Sequence, residues 1–365
     1  MYYGNTPTKL DAIRKHCDAL WFNHYWNSFV LKYEDKINYS LLSDNPNITW
    51  DIIEDNPDKN WNWVGISSNP NITWDIIKDN PDKNWNWFEI SCNPNITWDI
   101  VVANSDKPWR YYSLSTNPNI TWDIIKDNPT KPWNWFYLSY DPNITWDIVE
   151  SKIDKPWSWF GISCNPNITW DIVEANLDKP WSWFSISCNP NITWDIIIDN
   201  PDKPWNWFGI SYNPNITWDI VEANLDKPWN WFGISKNPNI TWDIIKDNPG
   251  NPWDLESFSS NPNITWDIIK DNPDNLWDWD WRVISRYLNI TIDILQSNPD
   301  KPWNWNALSK KKFTKTKNIF MEELYRKHNA AFKIQTYWRR ANYNPEYLLC
   351  RNRLMYECDM LGILD

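Results

Sequence analysis

The stretch Asn45-Pro46-Asn47-Ile48-Thr49-Trp50-Asp51-Ile52-Ile53-Glu54-Asp55-Asn56-Pro57-Asp58-Lys59-Asn60-Trp61-Asn62-Trp63-Val64-Gly65-Ile66-Ser67-Ser68 decides how this chain is built, because it recurs. Trp50 is followed by Trp74, Trp98 and then a Trp every 24 residues as far as Trp266. An eleventh, degenerate copy carries Ile292 in that slot, 26 residues further on. A fixed period of this size marks a repeat array, in which each unit packs on its neighbours and none folds alone. The 365 residues are therefore expected to hold one continuous solenoid rather than two or three independent domains.

The residues of one unit predict two short helices. Thr49 suits an N-cap, and Trp50 to Asp55 follow as the first helix. Ile48 and Ile53 stand at the two positions of a hydrophobic staple. Asp51 lies in the first turn, where the helix dipole favours an anion. Asn56-Pro57 ends the helix, since a residue before proline avoids the α region. A second start is expected with Asp58 as N-cap and Lys59-Asn60, Lys-Pro in most units, in the first turn. Trp61, Trp63, Val64 and Ile66 are then expected to face inward. The predicted fold is all-α: an α-solenoid of short helix-turn-helix repeats of about 24 residues with helical caps. The alternative is a β-containing solenoid. Ile48, Trp50 and Ile52 alternate, and the period suits a leucine-rich horseshoe. That motif wants an apolar residue five places before its Asn, and Asp51 or its counterpart stands there throughout.

Helices this short do not persist alone, so packing must hold them. A buried Trp covers about 150–250 Å², worth roughly 4–6 kcal/mol at about 25 cal/mol per Å². Packing thus accounts for the 34 tryptophans without any binding role, the Trp-x-Trp pairs included. Where units differ from one another, a partner could be read. One variable slot runs Glu54, Lys78, Val102, Ile198. A second, before each Asn-Pro-Asn, runs Asp44, Ser68, Cys92, Tyr140, Lys236. A third runs Gly65, Glu89, Ser113, Tyr137, Ser185.

Four segments are expected. Residues 1–43 form an N-terminal helical cap, with Thr8 as its N-cap and Ile13, Cys17, Leu20 and Trp21 on one face, followed by the half repeat Asp35 to Ser43. Residues 44–309 form the solenoid of eleven units. Residues 310–317 are a basic linker. Residues 318–365 form a C-terminal helical hairpin cap, broken at Asn344-Pro345, with Phe320, Leu324, Ile334 and Trp338 covering the unit around Trp303. Eleven units at roughly 8–10 Å each would give an elongated rod of about 100 Å.

Charge and composition narrow the function. Residues 310–365 carry 12 Lys/Arg against 6 Asp/Glu, a net +6, so the preceding residues carry −18 of the overall −12. An acidic array argues against nucleic-acid binding along it, because phosphate contacts need a cationic surface. Mean hydropathy is −0.69, and no run of 18 apolar residues occurs, so no membrane span is expected. The N-terminal twenty residues lack an apolar core of signal-peptide length, which points to an intracellular protein. Cys92, Cys164 and Cys188 share a slot in separate layers and read as free thiols. No metal-ligand spacing appears. The histidines, His16, His24 and His328, all lie outside the array. Asp51, Asp75 and Asp99 repeat identically, whereas a catalytic constellation is a single asymmetric place. No P-loop, dinucleotide turn or nucleophile elbow is present. The chain is expected to be no enzyme, with no cofactor. The Asn47-Ile48-Thr49 sequons read as N-caps rather than glycosylation sites. In the tail, Ile334, Gln335, Arg339 and Arg340 match the first half of an IQ motif, a helix type that docks calmodulin-like proteins. The second half is missing, since Asn344 stands where a basic residue belongs.

The block Asn-Pro-Asn-Ile-Thr-Trp-Asp-Ile-Ile-Lys-Asp-Asn-Pro-Asp-Lys-Pro-Trp resembles the tandem-repeat proteins encoded in large families by giant DNA viruses of the mimivirus kind. The half unit Asp35 to Asn47 is closer to that family's pattern than the later units are, and the tail from Ala331 to Pro345 is similar to its C-terminal segment. The resemblance covers residues 30–360. It implies a viral protein acting in an infected protist, in the cytoplasm or the viral factory, and supplies no activity. The function expected from all of this is a non-catalytic scaffold that binds another protein along its variable columns. The alternative is a structural component of the particle or factory that binds only copies of itself.

Overall fold

A computed structural model describes residues 9–272 and 279–327. They fall into two compact units: 33–290 with 294–312, which is the array, and 9–32 with 291–293 and 313–327. Every regular element among the described residues is helical, so the α-solenoid stands and the β-containing alternative falls.

In each unit of the array the first helix occupies the expected slot, as in Trp50–Asp55 and Trp74–Asp79. Ile48 and Ile53 are buried beneath it, and in the first unit the Thr49 hydroxyl accepts from the Ile52 amide at 3.4 Å. The second helix starts later than expected. It runs Trp63–Ser68, and its N-cap is Asn62, whose side-chain oxygen accepts from the Val64 amide at 3.0 Å. Asp58 caps nothing. The reason lies in Trp61, whose indole N–H donates to the Asn56 carbonyl at 2.8 Å. That bond satisfies a carbonyl left over at the end of the first helix, and it holds residues 56–62 as a tight connector. The same bond recurs from Trp85, Trp109 and Trp133 onward.

Three polar ties join most units to the one before. The Ser67 hydroxyl donates to its own helix at Trp63 and accepts the Asn86 amide of the next unit at 2.9 Å. Asn69 is fully buried and donates from Nδ2 to the carbonyls of Ser43 and Asn45, both at 3.0 Å. Asn71 donates to the carbonyls of Pro46 and Ile48, both at 2.8 Å. This asparagine ladder explains the recurrence of Asn-Pro-Asn, because a buried backbone carbonyl must find a donor.

The elongated rod expected from the repeat is overturned. The last unit of the array pairs with the first in the same register. The Asn38 amide donates to the Ser309 hydroxyl at 3.0 Å, repeating the bond between Asn62 and Ser43. Asn45 donates to the carbonyls of Ser309 and Lys311, both at 3.0 Å, and Asn47 to that of Lys312 at 2.8 Å. Lys36 sits over the Trp305 ring at 5.1 Å, as Lys59 sits over Tyr39. Twelve second helices, from Tyr39–Leu42 to Trp305–Ser309, thus form a closed circuit.

Closure follows from a wedge-shaped unit. Most consecutive second helices pack directly on one another. Small residues allow it: a Cβ on Gly65 would meet the Ser43 Cβ at 2.9 Å, and one on Gly209 would meet the Phe184 carbonyl at 2.7 Å. On the first-helix side, bulky indoles fill the same gap. Trp85 lies 5.8 Å from Trp50 and edge-on to Trp63 at 5.2 Å. Narrow on one side and wide on the other, the units curve with the second helices inside. A circuit of twelve requires about 30° per step, the kind of small rotation that sets solenoid curvature.

The other unit centres on the helix Lys9–Tyr25, a π-helical turn Trp26–Leu31 and a helix over 314–327, which begins inside the segment expected to be a linker. Cys17, Trp21, Tyr25 and Phe29 are fully buried. Phe320 packs 5.6 Å from Trp21 and stacks on His24 at 4.7 Å, and Phe313 lies 4.7 Å from Phe29. Phe313 holds φ at 48°, a left-handed conformation unusual for a bulky residue. Lys317 pairs with Asp18 at 3.1 Å.

Candidate interaction surface

Each second helix is at most seven residues long, so each of its side chains has one direction. Ile66 points into the core, and Ser67 and Gly65 point at neighbouring backbone. The residue after the first Trp points the opposite way from Ile66, into solvent on the concave side. Val64, assigned inward from the sequence, is 45% exposed. Its successors form a run of exposed aromatics, one per unit: Phe88, Tyr112, Phe136, Phe160, Phe184, Phe208 and Phe232.

These rings form a continuous column. Phe88 lies 6.1 Å from Tyr112, and Tyr112 meets Tyr137 at 5.4 Å. Phe136 lies 5.3 Å from Tyr140, which leads to Phe160 at 6.3 Å. Phe160, Phe184, Phe208 and Phe232 then follow at 6.2, 5.9 and 6.3 Å. Lys236 closes the row with its amine 4.0 Å from the Phe232 centroid, a cation–π contact. Scattered exposed apolar residues are ordinary, but a contiguous apolar stripe marks an interaction site.

Beyond Phe232 the slot turns polar, to Glu256 and Arg282. A cavity of about 700 Å³ opens there, lined by Phe232, Lys236, Asp254, Glu256, Arg286 and Tyr287 among others. Its charges are mixed. Asp280 holds Arg282 at 3.0 Å and caps the helix Trp281–Tyr287. The hydrogen bond from Arg282 keeps the Asp280 carboxyl below its ordinary range. On the first-helix side, recesses of about 340 and 290 Å³ beside Trp50 and Trp74 recur with the repeat and are packing gaps of the wedge.

The slots singled out in the sequence land in three different places. The Glu54 slot is exposed on the first helices, where Lys78, for example, pairs with Asp75 at 3.3 Å. The slot before each Asn-Pro-Asn flanks the column, half-buried from Tyr140 to Lys236. The Gly65 slot faces the preceding unit, so its variation tunes packing as much as surface. Burial pushes the Cys188 thiol up to about 11, with Cys164 adding to the effect, so this thiol stays protonated and unreactive. Among the described residues no group of three or more potential metal ligands occurs, and no helix is long and apolar enough to cross a membrane. Ile334, Gln335, Arg339 and Arg340 lie outside the described residues.

One signal in the sequence pointed to the column. The slot of Val64 and Phe88 accepts Glu256 and Arg282, and a core position does not take both charges. No protein-family model, curated protein or solved structure matches the chain.

Proposed function

We propose that this protein is a non-catalytic repeat scaffold that binds another protein, and that the aromatic column of its second helices is the binding surface. The observation that carries this reading is the unbroken run from Phe88 to Phe232, seven exposed rings on otherwise well-packed helices. Exposing them costs solvation that the fold does not need, since the core is already built from Ile and Trp. The resemblance to giant-virus tandem-repeat proteins supports a viral protein whose partner is met in the cytoplasm or viral factory of an infected protist.

The competing reading is a structural component that binds only its own copies. Concavity disfavours it for this surface, because two equally concave faces cannot match each other in an isologous contact. Affinity capture from infected cells decides, with wild type compared against Phe184→Ala/Phe208→Ala. Distinct proteins recovered by wild type and lost from the variant support the scaffold. Recovery of nothing but further copies of this chain would sink it in favour of self-assembly.

A further inference from the structure

We infer that the recess beside Trp218 binds a quaternary ammonium group, in the place where a lysine of the chain itself stands at the equivalent recesses. This does not rest on the protein-binding reading, because the recess lies on the first-helix side and the aromatic column on the concave side.

One slot of the repeat supplies a cation to these recesses. It holds Lys36, Lys59 and Lys83, then a lysine every 24 residues to Lys227, and finally Lys301. The residue it meets is the aromatic that opens the second helix of the preceding unit. Lys59 lies over Tyr39 at 5.4 Å, Lys131 over Tyr111 at 5.0 Å, Lys301 over Trp281 at 5.8 Å and Lys36 over Trp305 at 5.1 Å. Elsewhere the lysine lines the recess, as Lys83 does beside Trp50 and Lys107 beside Trp74, or bonds to the aspartate before it, as Lys203 does to Asp202 at 3.4 Å. The face of an aromatic ring carries negative potential and attracts a cation, most strongly in Trp.

In one unit the ring is kept and the lysine is not. Asn251 stands in the slot, Trp231 is the aromatic twenty residues before it, and Gly250 replaces the aspartate. A Cβ on Gly250 would meet nothing within 4 Å, so the connector is open there. Trp231 is half-buried. It stands edge-on to Trp253 at 5.0 Å, and Trp253 lies 5.4 Å from Trp218. Three indoles are thus fixed around the gap. Glu222 is exposed and occupies the slot by which Glu54 lines the recess beside Trp50. The charge of Lys227 is answered by Asp226 at 3.2 Å. What is a packing gap in other units is here an aromatic cage with a carboxylate at its edge and no lysine of its own. Asn275 also replaces the lysine, one unit on, but it lies outside the described residues, and Leu255 takes the aromatic slot there.

The ligand class follows from hydration. A primary ammonium arriving from solution gives up strong hydrogen bonds to water, and an indole face does not replace them. A tethered lysine can keep its amine at the edge, in contact with water. A quaternary ammonium has no N–H to satisfy and is the cation that aromatic cages select. The site therefore takes a trimethylammonium group, carried by a free small molecule or by a methylated lysine side chain.

The test titrates choline into the full chain and follows its methyl proton signal by NMR, beside its isostere dimethylbutanol, which has carbon in place of the nitrogen. The inference expects saturable binding of choline at one site per chain, about ten-fold tighter than that of the uncharged alcohol. Asn251→Lys restores the residue of the other units, so it should leave the unfolding midpoint unchanged while weakening choline about ten-fold. Lys203→Asn should add a second site beside Trp170, where Glu174 stands in the Glu222 slot. Tighter binding of Nα-acetyl-trimethyllysine amide than of choline assigns the site to a protein side chain, and the reverse assigns it to a small molecule. Equal binding of the two isosteres, choline indifferent to Asn251→Lys, no second site in Lys203→Asn, or no saturation would overturn the inference.

Discussion

Asn45 Nδ2 donates to the carbonyl of Ser309 at 3.0 Å across 264 residues of chain, and Asn69 makes the same bond to Ser43 at 3.0 Å across 26. The junction between the two ends of the array is thus one more repeat interface. It turns a chain of nearest-neighbour contacts, which frays from its ends, into a circuit with no ends to fray.

The closure makes Asn45 and a mid-array asparagine energetically alike. Asn45→Ala removes donors from the carbonyls of Ser309 and Lys311, and Asn189→Ala removes them from those of Ser163 and Asn165. Both should cost about 2 kcal/mol, two hydrogen bonds at about 1 kcal/mol each, measured by urea unfolding. An Asn45→Ala variant as stable as wild type would show that the ends are not joined.

Lys311 stands where the ladder has asparagine, and its amine donates to the carbonyls of Ser285 and Arg286, both at 3.1 Å. Burial lowers its pKa to about 8 from the ordinary 10.5. Between those two values the unfolded chain holds a proton that the folded chain has released, so stability rises with pH across about 8 to 10.5. Below about 8 both states hold the proton, and the contribution is constant. The gain is up to about 3 kcal/mol at about 1.4 kcal/mol per pH unit. Unfolding midpoints of wild type should climb relative to Lys311→Met through that window. Parallel curves would contradict the burial of this amine.

Asp141 interrupts the ladder. It cannot donate, and instead its carboxylate accepts from the amide and side chain of Asn143 at 2.8 and 3.0 Å. Asp141→Asn should restore donors toward the preceding unit and stabilise by about 1 kcal/mol, read as a higher midpoint in thermal unfolding. A destabilised variant would mean that this interface is built differently from its neighbours.

Trp170 is nine-tenths buried and lies 5.5 Å from Trp205 of the next layer. Trp170→Ala should cost about 3–5 kcal/mol and speed proteolysis of both adjoining units. Lys246, exposed on a first helix and paired with Asp243 at 2.7 Å, should tolerate Ala with no measurable change in midpoint. Equal effects at the two positions would contradict the assignment of buried and exposed faces on the first helices.

Much of this was legible in the sequence. Local chemistry placed the first helix correctly from Trp50 to Asp55, because the Asn-Pro stop and the Thr start act within six residues. The second helix was misplaced by the same kind of reasoning. Asp58 is a good cap in isolation, but the indole of Trp61 has to reach back to Asn56, and that bond leaves Asn62 as the residue that begins the helix. Val64 was misread for a related reason. Spacings of three are helical whichever way the helix faces, and only the contact of Gly65 with Ser43 fixes its rotation.

By itself, then, the sequence determined the period, the helical class, the acidic array and the residues that could fill a core. Those properties depend on contacts within one unit, and every unit repeats them. Tertiary structure alone decided that Asn45 meets Ser309 and that the phenylalanines from Phe88 to Phe232 share one concave face. Closure depends on the small angle added at each interface, summed around twelve units. That angle is a difference between two packing distances, indole against indole on one side and Gly or Ser against backbone on the other. A few degrees' change per step would leave an open coil with the same 24-residue pattern.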